Sequence, residues 1–150
     1  MIRTVLAVVL AVALLAAVVP AVEEGRTART ATHLDRVGDR IERAARSLRA
    51  HEDPTRPDVA GARRIVRLRL PTRSWTAADA SLWIDGSTDR IGYRIGGRPP
   101  RGRTLRGLDL RTPTGRVVLD DPGHHRLALS LVLADGVGVV VRRGRRARDS

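Results

Sequence analysis

The stretch from Thr4 to Val22, TVLAVVLAVALLAAVVPAV, decides the fold, because it carries no charged residue and would be apolar on every side of a helix. Its 19 residues, at the helical rise, span about 28 Å, the thickness of a bilayer's hydrocarbon. The segment reads as a single transmembrane crossing. Arg3 precedes it and Glu23 and Glu24 follow, so the positive-inside bias places the N-terminus in the cytoplasm and everything beyond Val22 outside. Val19-Pro20-Ala21 also offers small residues to a signal peptidase, and cleavage after Ala21 would release a secreted protein. The run is longer than the apolar region of a signal peptide, about 7 to 15 residues, and only three residues precede it, which favours a retained signal anchor over residues 1–22.

Moving outward, residues 23–53 read as an amphipathic helix. Leu34, Val37, Ile41, Ala44 and Leu48 recur at alternating spacings of three and four, drawing one apolar stripe from about Arg26 to His51. Asp39 to Arg43 and Glu42 to Arg46 are acid-before-base pairs four apart, each supporting the helix by about 0.2 to 0.5 kcal/mol. Pro54 stops it, since the residue before a proline is pushed out of the helical region. A stripe shorter than three to four heptads favours packing on the chain's own head over pairing with another helix. Pro20, with Gly25, permits a bend where the anchor gives way to the stalk.

Residues 54–61 read as a linker, and beyond it the apolar period changes from helical to alternating. Arg64 to Leu70 is an amphipathic strand with Arg67 and Arg69 on its wet face. Further strands are expected at Ser81 to Asp85, Arg90 to Ile95, Leu105 to Arg111, Arg116 to Leu119, Arg126 to Leu133 and Val137 to Arg142. Asp135-Gly136 is a strong hairpin signal between the last two, and Leu127, Leu129, Leu131 and Leu133 share one face of one strand. The expected fold is α+β: a transmembrane helix, an amphipathic helix, and a small antiparallel β meander over residues 62–143 packed on that helix. Residues 144–150 form a basic tail. With no phenylalanine, only Trp75, Trp83 and Tyr93 supply large aromatic area.

Composition narrows the chemistry. All 28 basic residues are arginine; lysine, cysteine, asparagine and glutamine are absent. That removes disulfides, thiolate metal sites, cysteine nucleophiles, the phosphate-loop lysine, Schiff-base chemistry and N-glycosylation. The densest polar cluster, Asp120-Asp121-Pro122-Gly123-His124-His125, has ligand types that could converge on zinc. It reads instead as a turn, because adjacent histidines in an extended chain point to opposite faces and Pro-Gly is a turn dipeptide. His33 and His51 are expected to be solvated on the stalk. No catalytic residues, metal ligands or cofactor are expected, and the chain reads as a non-enzymatic protein.

The net charge of +12 points to anionic partners, whether acidic lipid headgroups or a surface polymer. The excess is distal: residues 53–150 hold twenty arginines against ten acids, whereas residues 23–52 hold seven against six. Nucleic acid is the less favoured partner, since aromatic stacking residues are scarce and the topology puts the head on the side without DNA.

Met1-Ile2-Arg3 with its apolar run to Pro20-Ala21-Val22, the helix His33-Leu34-Asp35-Arg36, and the head segments Leu70-Pro71-Thr72-Arg73-Ser74-Trp75-Thr76 and Pro122-Gly123-His124-His125-Arg126-Leu127 together resemble a haloarchaeal family of small membrane-anchored proteins with a domain of unknown function. The resemblance covers most of the chain and names no active site. It implies an accessory role beside archaeal type IV pilus or secretion machinery. The order of apolar helix, stalk and β head is similar to the pilin plan, but there is no basic-Gly or basic-Ala processing site and no glutamate five residues into the apolar run. A haloarchaeal origin implies a saline setting, where the Debye length falls to about 3 Å at 1 M salt and direct arginine contacts outweigh long-range attraction.

Overall fold

The computed structural model describes residues 2–74 and 77–144. Trp75 and most of the expected basic tail, residues 145–150, lie outside the described residues. The chain opens with one helix, α1 (Ile2–His51), and continues into eight strands: β1 (Arg63–Leu70), β2 (Ala80–Asp85), β3 (Arg90–Ile95), β4 (Arg101–Thr104), β5 (Leu110–Arg111), β6 (Val117–Leu119), β7 (Gly123–Leu133) and β8 (Val137–Arg143). The α+β class read from the sequence is the class observed.

The apolar run and the amphipathic segment are a single helix that passes through Pro20 and Gly25. Pro20 has no N–H to give the carbonyl of Ala16, so the helix loses one bond there without ending. The large apolar residues between Ile2 and Val19 are 53–86 % exposed, whereas Leu34, Val37, Ile41, Ala45 and Leu48 are at most 1 % exposed. Among the described residues, this is the one helix long and apolar enough to cross a membrane. The stripe runs from Thr30 to Leu48, with Ala45 rather than Ala44 at its buried centre. Burying each of the leucines, the valine and the isoleucine contributes about 1.5 to 3 kcal/mol.

The strands form two four-stranded sheets, ordered β1-β7-β8-β5 and β4-β3-β2-β6. Consecutive antiparallel pairing, as in a meander, holds for β2 with β3, β3 with β4 and β7 with β8. It fails where β1 pairs with β7, β2 with β6, and β5 runs parallel to β8. Turn residues mark where a chain leaves a strand; burial decides which edge it returns to. β7 is buried at every second residue from His125 to Leu131, so it occupies the interior of its sheet with β1 and β8 on its two sides. α1 packs against β1, β7 and β8 of one sheet and β3 of the other, which joins both sheets into one core.

The expected strand over Leu105 to Arg111 is replaced by β4, a turn and β5. Leu105 and Leu108 are both buried, but their spacing of three does not fit a period of two. Gly107 adopts φ +76, and the turn's carbonyls are taken by α1: Arg46 donates to Arg106 O at 3.2 Å and Arg49 to Gly107 O. β4 gave no sequence signal because all four of its residues are exposed. The Asp135-Gly136 hairpin forms as expected, with φ of 51 and 109. In the linker, Thr55 bridges to Val132, its N–H bonding Leu131 O and its O accepting from Leu133 N.

Two glycines mark close approaches. Trp83 lies across Gly92 and Gly102, where a Cβ on Gly92 would overlap the indole. Gly25, by contrast, has nothing within 4 Å of its missing Cβ. Gly92→Ala should therefore destabilise the head by about 1 to 3 kcal/mol through overpacking, whereas Gly25→Ala should stabilise α1 by up to about 1 kcal/mol. Thermal unfolding of the detergent-solubilised chain, followed by circular dichroism, reads both.

Candidate functional site

A groove of about 990 Å³ lies beside α1 and the β1–β7 ladder. α1 contributes His33 and Arg40; β1 contributes Arg67, Leu68 and Arg69; β7 contributes His124, His125 and Arg126; and Arg143 with Gly144 close it at the end of β8. Among the described residues, five arginines and three histidines line it and no carboxylate does. The register explains the clustering. β1 and β7 run past the end of β8, and their pairing sets Arg67 opposite Arg126 and Arg69 opposite His124.

α1 is fixed to this rim. His33 Nε2 donates to the carbonyl of Arg69 at 2.8 Å; a carbonyl only accepts, so Nε2 carries the proton. The stalk histidines are thus exposed, as expected, but engaged: His51 Nδ1 donates to Ser47 O at 3.1 Å. The Asp120 to His125 cluster divides. Gly123 opens β7, so His124 and His125 are strand residues rather than turn residues. His125 is 4 % exposed and its Nε2 donates to Asp121 O at 2.6 Å, while His124 is exposed on the other face. Asp121 pairs with Arg143 at 3.3 Å. Among the described residues no group of three or more histidine and acid side chains could hold a metal ion.

On the far side of α1, ion pairs secure the second sheet. Arg103 of β4 reaches Asp39 at 2.6 Å and Glu42 at 3.2 Å, crossing α1 over Gly38, whose missing Cβ would stand 3.4 Å from the guanidinium. Asp39 is thereby drawn away from its expected partner: Arg43 donates to the Asp39 backbone carbonyl at 3.3 Å instead. The expected Glu42–Arg46 pair does form, at 2.8 Å. Lower on the helix, Arg98 pairs with Glu24 at 2.6 Å and holds its carboxyl below the usual carboxylate range. Tyr93 is held above its usual value first by burial and then by the neighbouring Asp35 carboxylate.

A third constellation lies on the second sheet. Arg116 stacks 4.8 Å from the centre of the Trp83 ring and pairs with Asp85 at 2.7 Å. Asp85 also accepts from the Ser87 hydroxyl at 2.6 Å. The Ser87 hydrogen bond, followed by Arg116, lowers the Asp85 carboxyl from 3.8 to about 2. This is an anchored carboxylate with its acceptor sites filled, and it holds the turn after β2 in place.

Sequence reasoning treated Arg67 and Arg69 as the wet face of a strand, and they are exposed as expected. It missed the groove, because the groove draws on four elements whose pairing is not written in local periodicity. The distal arginine excess was the available signal.

The chain belongs to the family defined by a domain of unknown function (DUF7311), whose model matches residues 1–145. No curated protein and no solved structure matches it.

A carboxyl whose pKa is depressed by folding adds stability above its unfolded value and loses it as pH falls through the folded value. For Asp85 that window runs from 3.8 down to about 2. Asp85→Asn should lower the thermal midpoint at pH 7, and the gap from the parent protein should close as the pH is taken down through this window. Unfolding curves of both proteins across that range check it.

Proposed function

We propose that this DUF7311 protein is a non-enzymatic, membrane-anchored accessory or scaffold component of a cell-envelope assembly, with residues 4–22 crossing the bilayer once, the N-terminal side in the cytoplasm and the β head outside. One observation carries the reading: a single helix leaves residues 5–22 apolar and exposed while its second half is the spine of the head's core. Exposed apolar surface on that scale needs an apolar medium or a partner. The charge step from Arg3 to Glu23 and Glu24 supports the orientation.

The non-enzymatic part rests on how the polar side chains are spent. His33, His51 and His125 each donate a ring N–H to a backbone carbonyl, and Asp85, Asp109 and Glu24 hold arginines. These are the bonds of a rigid body. A helix shared between an anchor and a β head is similar in plan to the pilins of archaeal type IV machinery. With no glutamate five residues into its apolar run, this chain fits an accessory of such a haloarchaeal assembly better than a polymerising subunit.

The test is fractionation of a C-terminally tagged chain, with carbonate extraction, N-terminal sequencing and protease treatment of intact cells. Retention in the carbonate pellet, an intact N-terminus and digestion of the head from outside are expected, as is co-purification with other envelope proteins after mild crosslinking. A chain beginning at Val22 and free in the medium would make it a secreted factor. A head protected inside the cell would overturn the orientation.

A further inference from the structure

We propose that the arginine groove beside α1 and the β1–β7 ladder is a binding site for a multiply charged phosphoryl anion taken from solution. The motive is a cost the fold carries openly. Directly opposed side chains on an antiparallel pair have their Cβ atoms about 4.5 to 5.5 Å apart, and like charges there are destabilising. Arg67 and Arg126 stand in that relation, and Arg69 faces His124. An anion held between the opposed guanidinium groups turns that repulsion into attraction from both strands.

The surroundings do not relieve the repulsion. Three other arginines of the head are matched with acids, Arg98 with Glu24, Arg103 with Asp39 and Arg116 with Asp85, and at the groove's end Arg143 pairs with Asp121. Among the described residues, Arg40, Arg67, Arg69 and Arg126 have no such partner. Arg40 adds a third direction of approach, from the helix, which the His33 bond to Arg69 O keeps in register with β1. These positions belong to separate elements, so the fold itself assembles the charge.

The ligand chemistry follows from the side chains. Guanidinium forks pair bidentately with phosphoryl or carboxylate oxygens. A single carboxylate would leave most of the groove's charge unanswered, whereas a chain of phosphoryl groups answers several arginines at once. The volume of about 990 Å³ is at the upper end of small-ligand sites, roughly 300 to 1,000 Å³.

Phosphoryl groups could come from solution or from lipid headgroups, and height decides between them. His33 lies eleven residues beyond Val22 and Arg40 eighteen, about 16 and 27 Å along the helix. The headgroup layer is only about 5 to 8 Å deep on each side. This choice of source rests on residues 4–22 being the membrane span; the ligand chemistry does not.

The probe is inorganic tripolyphosphate, titrated calorimetrically into the full chain in a non-ionic detergent and again in nanodiscs containing anionic lipid. Saturable binding is expected, weakened at least tenfold by the double variant Arg67→Ala/Arg126→Ala. The charge-matched double variant Arg90→Ala/Arg94→Ala on the other sheet should leave it unchanged. Circular dichroism of both variants establishes that they are folded; should the first not be, Arg67→Gln and Arg126→Gln singly replace it. Absence of binding, equal loss in both double variants, or binding of polyglutamate without tripolyphosphate would overturn the assignment. Binding in detergent that disappears in anionic nanodiscs would overturn the soluble source and assign the groove to headgroups.

Discussion

Everything in this molecule hangs on one helix serving two solvents. Residues 5–22 present apolar side chains all round, and residues from Thr30 to Leu48 present them on one stripe that the β head covers. The head cannot do without the stripe: Leu34, Val37, Ile41 and Leu48 stand in the same core as Leu82, Ile84, Leu119, Leu127 and Leu131, drawn from both sheets. Neither sheet has phenylalanine to fill the space between them, so the helix supplies the bulk. Any force on the apolar half is therefore transmitted into the core without an intervening joint.

Two groups of arginines stand on either side of α1. One locks the helix to the second sheet, through Arg98 with Glu24 and Arg103 with Asp39 and Glu42, and to the turn after β4, through Arg46 and Arg49. Exposed pairs of this kind each contribute little, about 0 to 1 kcal/mol, but they fix orientation. The other group gathers on the opposite side, where β1 and β7 outrun β8. Because a guanidinium stays charged at any physiological pH, this asymmetry is a permanent feature of the fold.

Much of this architecture was legible in the sequence because it is local. The helical stripe, the alternation in Arg64 to Leu70 and the Asp135-Gly136 turn each depend on a few neighbouring residues, and each folds as its pattern dictates. What escaped was non-local. β4 is exposed throughout and carries no pattern, and the stretch after it buries Leu105 and Leu108 through a turn stabilised from α1. Asp39 gave up a helical neighbour for Arg103, 64 residues away. The groove depends on Arg67 meeting Arg126, a pairing that only the two-sheet topology creates.

Continuity of α1 through Pro20 and Gly25 is the claim on which the rest depends. The chain has no cysteine, so two introduced at Ala16 and Arg36, both exposed, can carry the only spin labels in the protein. Twenty helical residues separate them, about 30 Å along an unbroken axis. Pulsed electron paramagnetic resonance on the bilayer-reconstituted chain should give one narrow distance distribution near that value. A broad distribution, or a mean well short of it, would show a hinge between the apolar half and the head and would contradict the account.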